Sequence, residues 1–533
     1  MVSYKQQALE DKWDVIVIGS GIGGLATAAL LSSQAGRRVL VLERHYTAGG
    51  YTHSFNRPGY SWDVGVHYIG DVQDPNSPTR AVFDHLTEGK LQWQPMPDVY
   101  DRVVIGGRAF DFPSGLENLR NSLKGAFPAE GSAIDSYLAA VQSAQKSSGL
   151  YFAEKAVPRP IARLAGRFMR APFLKWASQT TLDVLHQWTR NPELISILTA
   201  QWGDYGLPPS ESSFGIHALI ASHYFNGASY PVGGAARIVE TMAPLIERNG
   251  GKIVVSAEVA EVVVRDGKAI GVRMADGREF RAGIVVSDAG ARNTFEHLVP
   301  TPQPIQEELR RMPGSIAHLS LYVGVKQSAA ELGLNGTNLW IYPSSDHDAN
   351  TARFLNDISA PFPAIFISFP SAKDPFFERK HPGRATMEVV AFAPYEAFSQ
   401  FENEGTWKRR GPDYAALKNR LAERLRHELE LAVPAVAGKI DHAELSTPLT
   451  TRHFMNYRQG EAYGLAATPE RFRARSLTPH TSVKNLYLTG QDVASMGVTG
   501  AMMGGVMTAS AILGRNLVSK VTKPALTKSP KAA

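Results

Sequence analysis

Short apolar runs separated by glycine-rich or polar turns organise the first part of the chain. Residues 15–18 form a β-branched run typical of a buried parallel strand, and residues 25–33 are rich in Ala and Leu, as in a helix. Residues 38–43 are predicted to form the next strand. The three segments make one predicted βαβ unit, which indicates an α/β fold with a parallel sheet.

The same alternation returns later in the chain. Within residues 252–282, short apolar runs separated by Asp-Gly pairs predict an antiparallel meander, which a further apolar run at residues 284–287 closes. A last strand, within residues 485–490, leads into glycines and an Ala- and Met-rich helix. We expect a Rossmann-type nucleotide-binding domain assembled from three segments, with an inserted α+β substrate domain. The predicted boundaries are residues 1–75, 235–299 and 481–519 for the first domain, residues 76–234 and 300–480 for the second, and residues 520–533 for a disordered tail.

Glycines at the first turn match the dinucleotide-binding pattern G-x-G-x-x-G at residues 19–24. The first glycine permits the tight turn, the second allows close approach to a pyrophosphate, and the third lets the helix pack against the strand. Glu43 lies 19 residues after Gly24, at the end of the next predicted strand. A carboxylate there accepts hydrogen bonds from ribose hydroxyls and repels the 2′-phosphate of NADP. The turn therefore predicts a dinucleotide site.

Two other glycine-containing segments distinguish between the possible dinucleotides. Gly49 and Gly50 allow the chain to pass close to a phosphate or a flavin, and Gly490 and Asp492 follow the last strand, in front of a glycine-containing helix. Together with the first turn, these segments favour FAD over NAD. The candidate cofactor-binding residues are Gly19, Gly21, Gly23, Gly24, Glu43, Arg44, Gly49, Gly50, Val259, Gly490, Asp492 and Gly500.

The three glycine-rich segments and Glu43 resemble the flavin amine oxidase superfamily. Residues 62–70, 230–234 and 497–505 are similar to its branch of FAD-dependent phytoene desaturases, carotenoid isomerases and retinol saturases. The resemblance spans nearly the whole chain. It implies a non-covalent FAD, a long apolar tunnel, and saturation, desaturation or isomerisation of carbon–carbon double bonds in a carotenoid- or retinoid-like polyene.

Saturation of a double bond requires a proton donor beside the flavin, which itself supplies the hydride. The candidate acids are His67, Tyr68, Glu461 and Tyr463, because the stretches that carry them are predicted to lie near the flavin face. We favour His67 as the donor, followed by Tyr463. No second dinucleotide pattern occurs, so we expect an external electron donor or acceptor.

Two alternatives keep the fold and change the function. One is an FAD-dependent desaturase or oxidase of an unsaturated fatty acyl chain, or of an amine. The other is a prenyl-binding escort protein that does no redox chemistry. The glycine set, Glu43 and Asp492 argue against the escort because they are the groups that a working flavin site requires.

Composition narrows the class of partner. The 533 residues are 44% hydrophobic and 20% charged with a net charge of +6, which describes a globular protein and does not require nucleic acid. The chain contains no cysteine, which excludes disulfides, Cys-ligated metal and a cysteinyl-linked flavin. We predict no metal site.

Residues 155–182 combine basic side chains with apolar and aromatic ones, and no acid occurs between Ala156 and Leu182. The basic residues recur at helical spacing, which places many of them on one face opposite the apolar residues. This pattern is typical of a helix lying on an anionic membrane surface. No apolar run reaches the roughly 18 residues of a membrane span. We therefore expect a cytoplasmic, peripherally membrane-associated protein.

Overall fold

The computed structural model describes residues 2–157 and 159–523. Its strands are, in chain order, β1 (Val2–Ser3), β2 (Lys12–Ile18), β3 (Val39–Leu42), β4 (Ser54–Arg57), β5 (Tyr60–Asp63), β6 (Ile69–Gly70), β7 (Trp93–Pro95), β8 (Val99–Ile105), β9 (Arg108–Pro113), β10 (Ala228–Pro231), β11 (Lys252–Val255), β12 (Val259–Arg265), β13 (Lys268–Met274), β14 (Glu279–Ser287), β15 (Ala317–Val325), β16 (Asn338–Tyr342), β17 (Ile365–Ser368), β18 (Ala385–Ala393), β19 (Ile440–Ser446) and β20 (Leu486–Leu488).

The α-helices of the same residues are, in chain order, α1 (Ile22–Ala35), α2 (Pro78–Thr87), α3 (Leu116–Ala126), α4 (Gly131–Ala156), α5 (Arg159–Ala177), α6 (Thr181–Leu185), α7 (Pro192–Leu198), α8 (Phe214–His223), α9 (Ala236–Glu247), α10 (Ile305–Arg311), α11 (His347–Asn356), α12 (Pro370–Lys373), α13 (Phe377–Lys380), α14 (Glu396–Ser399), α15 (Pro412–Ala432), α16 (Pro448–Met455), α17 (Pro469–Arg473), α18 (Gly497–Leu513) and α19 (Val518–Val521).

One sheet joins strands from the start, the middle and the end of the chain. Its order is β1-β11-β3-β2-β14-β13-β12, and β20 pairs with the second half of β14. The strands β11, β3, β2, β14 and β20 are parallel, whereas β12, β13 and the first half of β14 form an antiparallel meander. This arrangement confirms the α/β fold with a Rossmann-type parallel sheet and a meander.

The strand β14 joins the meander to the parallel sheet. The sequence predicted a strand ending at residue 282 and a separate apolar run, but the structure has one nine-residue strand, Glu279–Ser287. Its first residues pair with β13 and its last with β20, while its opposite edge pairs with β2. The carboxyl ends of β2, β14 and β20 consequently lie side by side.

A second sheet draws on two distant parts of the chain. Its order is β19-β15-β18-β17-β16-β8-β9, so strands from residues 99–113 pair with strands from residues 317–446. The helices α4, α5 and α8 pack against one another and share a core with its aromatic residues. Leu421, Leu425 and Leu429 of α15 are fully buried in the core of this sheet. The two segments predicted to form the inserted domain thus contribute strands to one sheet. The boundaries of that domain stay a prediction.

Glycines bring the helix α18 into backbone contact with the end of β20 and with the helix α1. A Cβ on Gly504 would lie 2.1 Å from the carbonyl oxygen of Gly490, and one on Gly505 would lie 2.5 Å from that of Gly23. No side chain fits at such distances. Both helices follow parallel strands, so their N-termini reach the same carboxyl edge of the sheet.

The helix α19 extends into the segment predicted as a disordered tail. Lys520 and Val521 belong to this helix, and Val521 is buried in the core that α1 also lines. The predicted start of the tail at residue 520 was wrong for these two residues, because Val521 has an apolar core to enter. Residues 524–533 lie outside the described part of the chain.

We expect Gly504→Ala to destabilise the fold because its methyl group meets the backbone of Gly490. Overpacking of this kind costs about 1–3 kcal/mol of unfolding free energy. The control is Gly149→Ala, since Gly149 lies inside α4 with open space around it. The unfolding free energy of this control should rise by up to about 1 kcal/mol, because Ala has a higher helix propensity than Gly. Equal denaturant midpoints for the two variants would contradict the packing described here.

Candidate active site

The first glycine turn forms one end of a long cavity. Gly19 has a φ of +94°, a conformation that favours glycine. A Cβ on Gly23 would lie 2.4 Å from the Cα of Gly490, so this turn touches the end of β20 backbone to backbone. The loop after β3 packs on the same turn, since Gly21 and Gly49 form a parallel bridge. Three distant segments thus build this end of the cavity.

Glu43 lies directly after β3 and borders the cavity. Its Oε2 accepts hydrogen bonds from the backbone N (2.9 Å) and the Oγ (2.7 Å) of Ser20, and its Oε1 accepts from the backbone N of His45 (2.8 Å). These bonds fix the carboxylate beside the turn. Arg44, the next residue, lies 3.8 Å from Glu258 in a partly exposed ion pair.

Most predicted cofactor-binding residues line this one cavity. They are Gly19, Gly21, Gly23, Glu43, Arg44, Gly49, Gly50 and Val259. The remaining four are Gly24, Gly490, Asp492 and Gly500, which are not among the described residues that line it.

These four residues support the segments that line the cavity. A Cβ on Gly24 would meet the carbonyl oxygen of Gly19 at 2.6 Å, and one on Gly500 would meet that of Ser495 at 2.3 Å. Gly490 supports Gly23 as described above. Asp492 borders a neighbouring cleft, where its Oδ2 accepts a 2.7 Å hydrogen bond from the backbone N of Ala291. The structure therefore assigns the three glycines to packing and Asp492 to the link between β20 and the segment after β14.

Asp288 is a buried carboxyl group at the glycine turn that the sequence analysis missed. It follows β14, and its Oδ2 would lie 2.5 Å from a Cβ on Gly21. Burial, and then the nearby carboxylate of Glu43, raise the pKa of Asp288 to about 8. Its carboxyl group is thus protonated at neutral pH and adds no second negative charge beside Glu43. The signal was its position directly after the apolar run at residues 284–287.

Another part of the cavity is a chamber lined by aromatic, apolar and histidine side chains. His67 lies here, with an imidazole Nδ1 2.8 Å from Oε2 of the fully buried Glu388. Burial, and then the charge of Lys373, lower the pKa of His67 to about 3. Its ring is therefore neutral at pH 7. The other chamber residues are Tyr51, His318, Ser320, Val390, Phe392 and Tyr463.

The other predicted acids occupy different places. Tyr463 lines the chamber, as expected for a residue near the substrate. Tyr68 points away from it and donates hydrogen bonds to Asp101 (3.0 Å) and Asp204 (3.2 Å) in a buried network. Glu461 borders the neighbouring cleft, where it accepts a 2.8 Å bond from the backbone N of Gln459. The locations of Tyr68 and Glu461 do not match the predicted place beside the flavin.

The cavity fits a dinucleotide that carries a flavin. The N-terminal turns of α1 and α18 both border it, through Ile22 and Gly497, and the partial positive charge of a helix N-terminus favours a phosphate or an electron-rich ring. Glu43 supplies an acceptor for ribose hydroxyls. The chamber leaves room for a substrate beside a bound flavin. Among the described residues, no group of His, Asp or Glu side chains is arranged to hold a metal ion.

Comparison with known proteins identifies the family. Residues 22–513 match the model of the flavin containing amine oxidoreductases. The chain belongs to this family. It is 38% identical over 527 residues to an all-trans-retinol 13,14-reductase of Danio rerio, an alignment that covers 95% of this chain and 86% of that protein. It is 27% identical over 527 residues to the chloroplastic prolycopene isomerase of Arabidopsis thaliana, covering 95% and 83%.

A solved structure has the same fold. Cyclohexylamine oxidase from Brevibacterium oxydans superimposes with a TM-score of 0.59 at 17% identity, covering 96% of this chain and 98% of that one. The family assignment confirms that FAD is the cofactor and that this flavin oxidoreductase is an enzyme. It also confirms the predicted membership of the retinol saturase and carotenoid isomerase branch.

We expect Glu43→Gln to weaken FAD binding, because it removes the charge that strengthens a hydrogen bond to the adenosine ribose. The loss of a charge-assisted hydrogen bond costs about 1.5 kcal/mol or more, so the Kd of FAD should rise about tenfold or more. Fluorescence titration of the apoprotein measures this change. The control is Glu279→Gln, on β14 of the same sheet, where the carboxylate pairs with Arg273 and Arg281 outside the cavity. An unchanged Kd for Glu43→Gln would contradict the predicted contact.

Proposed function

We propose that this flavin oxidoreductase acts on carbon–carbon double bonds of a retinoid- or carotenoid-like polyene and saturates them. Its relatives named for retinol reduction and prolycopene isomerisation support the substrate class, because each aligns with at least 95% of this chain. The observation that carries the proposal is the chamber, which places the titratable imidazoles of His67 and His318 among apolar and aromatic walls of the cofactor cavity.

The chamber suits an apolar chain that must receive a proton. Val390, Phe392 and Tyr463 offer apolar contact, and His67 offers a proton donor. When bound, reduced FAD supplies a hydride to one carbon of the double bond. His67 would hold a proton on its cavity-facing nitrogen and deliver it to the neighbouring carbon. The electrons would reach the enzyme from an external donor.

Two other reactions and two other substrate classes remain as alternatives. Desaturation reverses the same transfers, and isomerisation needs only a reversible one. A fatty acyl chain would also fill an apolar chamber. An amine substrate would be held as a cation by aromatic faces, for which Tyr51, Tyr463 and Phe392 are available.

The test follows the absorbance of the protein-bound flavin without oxygen. We expect the reduced holoprotein to be reoxidised by all-trans-retinol or a carotenoid, and not by an unsaturated fatty acid. Bleaching of the oxidised holoprotein by the polyene would instead indicate desaturation. Bleaching by an amine, with no response to any polyene, would overturn the proposal.

His67→Ala should slow reoxidation of the flavin by the polyene, because a general acid contributes about a hundredfold or more to such a step. FAD should stay bound, since the glycine turn and Glu43, the groups expected to hold its diphosphate and ribose, are unchanged in this variant. The control is His427→Ala on the exposed side of α15, which should react like the wild type. A His67→Ala rate equal to that of this control would remove His67 from the proton-donor role.

We further propose that α5 docks on an anionic membrane and admits the apolar substrate from it. Leu164 and Phe168 are 83% and 78% exposed, and the exposed Arg167 and Lys175 share the helix with them. Such a mixed surface is suited to the interface between headgroups and acyl chains. No helix among residues 2–157 and 159–523 has the length and apolarity of a membrane-spanning segment.

The structure corrects the predicted distribution of side chains within residues 155–182. Lys155 and Arg170 are buried, and Arg170 lies 3.6 Å from Glu154 in an ion pair. Phe173 is fully buried, although the sequence placed it on the membrane-facing side. These side chains pack against the protein because α5 rests on α4 and α8. The side chains of Arg159, Ile161 and Arg163 lie outside the described part of the chain.

Replacing both Leu164 and Phe168 by Ser should abolish cosedimentation with vesicles that contain phosphatidylserine. Each side chain contributes about 1.5–3 kcal/mol when fully buried in an apolar phase, which corresponds to more than about a hundredfold for the pair. The control is Leu431→Ser, since Leu431 is 62% exposed on α15. Undiminished cosedimentation of the double variant would exclude this face as the docking surface.

A further inference from the structure

A buried carboxyl group stands behind the imidazole of His67. Glu388 lies on β18 and is fully buried, with its Oε2 2.8 Å from Nδ1 of His67. Neither of these two atoms has a hydrogen-bond partner among the described residues, and their 2.8 Å contact is not itself aligned as a hydrogen bond. The other oxygen, Oε1, accepts a 3.0 Å bond from the backbone N of Asp63. A proton shared by Glu388 and His67 would satisfy both orphaned atoms.

The two edges of the His67 ring, one carrying Nδ1 and the other Nε2, have different surroundings. Nδ1 is inaccessible to solvent, whereas 18% of the His67 side chain is exposed and lines the chamber. The edge that carries Nε2 is therefore the one that faces a substrate. Lys373 holds the backbone at His67 in place, because its Nζ donates to the carbonyl oxygen of His67 (2.9 Å) and to Oγ of Ser368 (2.8 Å).

Electrostatics places the shared proton on the carboxyl group. Burial raises the pKa of Glu388 to about 8, against the opposing effects of the Lys373 charge and the Asp63 N–H. Burial also lowers the pKa of Lys373 to about 7, and its carboxylate neighbours act in the opposite direction. The titratable groups that face Glu388 are His67, Lys373, Asp63, Tyr230 and Tyr322.

We propose that Glu388 is the proton reservoir for the reaction and that His67 relays the proton, an inference that rests on the proposed function. The Nε2–H bond of His67 breaks as a C–H bond forms on the substrate carbon. At the same time the O–H bond of Glu388 breaks and an N–H bond forms at Nδ1. The hydride on the adjacent carbon completes the two-electron reduction.

The relay avoids a charged ring in the chamber. An imidazolium would be strongly disfavoured at His67, as its lowered pKa shows, so the ring delivers one proton only while it receives another. The negative charge that remains is on Glu388, close enough to Lys373 for each to affect the pKa of the other. Glu388 acts through His67 and is thus a positioning residue that also holds the proton.

The decisive variant is Glu388→Gln. Its amide N–H still donates to Nδ1 and keeps the ring in place, but it has no acidic proton to give. We expect reoxidation of the reduced flavin by the polyene to slow about a hundredfold or more. The control is Glu444→Gln, because Glu444 and Glu388 both pair with Tyr322 on neighbouring strands, but Glu444 binds Arg57 instead of facing the chamber.

The pH profile separates proton supply from mere support of the ring. Only protonated Glu388 can feed the relay, so the wild-type rate should be constant at neutral pH and fall about tenfold per unit above about pH 8. The slow rate of Glu388→Gln should lack this fall. A variant that keeps both the wild-type rate and its pH profile would overturn the relay.

An infrared measurement locates the proton without turnover. Raising the pH of the wild-type holoprotein through about 8 should remove the protonated carboxyl C=O band of Glu388 together with those of other buried acids such as Asp288. The loss should be smaller by one carboxyl group in Glu388→Gln, and an identical loss in the two proteins would overturn the proposal. If Glu388→Gln reacts like the wild type while His67→Ala stays slow, the relay fails and the proposed function stands. If no polyene reoxidises the reduced flavin of the wild type, both the relay and the proposed function are contradicted.

Discussion

Backbone contact between glycines at the carboxyl edge of the parallel sheet is the constraint on which this structure depends. Gly23 and Gly490 come from opposite ends of the chain and lie too close for any side chain, and Gly504 closes on Gly490 from α18. Such contact is possible only because β14 pairs with β2 on one edge and with β20 on the other. The cofactor cavity exists where these segments converge.

The two sheets divide the chemistry between them. The parallel sheet holds the cofactor end of the cavity, with Glu43 as a fixed acceptor. The second sheet contributes β18, whose residues Glu388, Val390 and Phe392 run beneath and along the chamber. In the proposed reaction, the flavin and the proton donor would thus be held by different sheets.

The glycine turn, Glu43 and the parallel sheet were predictable because each is encoded locally, by residue spacing and apolar runs. Glu388 was not, because strand pairing brings it to the site from a distant segment that carries no local motif. Asp288 had one local signal, its position directly after the apolar run at residues 284–287. Tyr68 follows His67 directly, yet its hydroxyl group bonds to Asp101 and Asp204 in the protein core, a placement that no local pattern encodes. The charges of residues 155–182 were visible in the sequence, but tertiary packing buried Arg170 beside Glu154.

The central claim is that this flavin oxidoreductase transfers the elements of H2 to a polyene double bond inside the chamber. Mass spectrometry of all-trans-retinol after one anaerobic turnover with the reduced holoprotein tests it most directly. The account predicts a product that has gained two hydrogen atoms, in an amount equal to the flavin oxidised. Recovery of unchanged retinol, with the flavin still reduced, would contradict it.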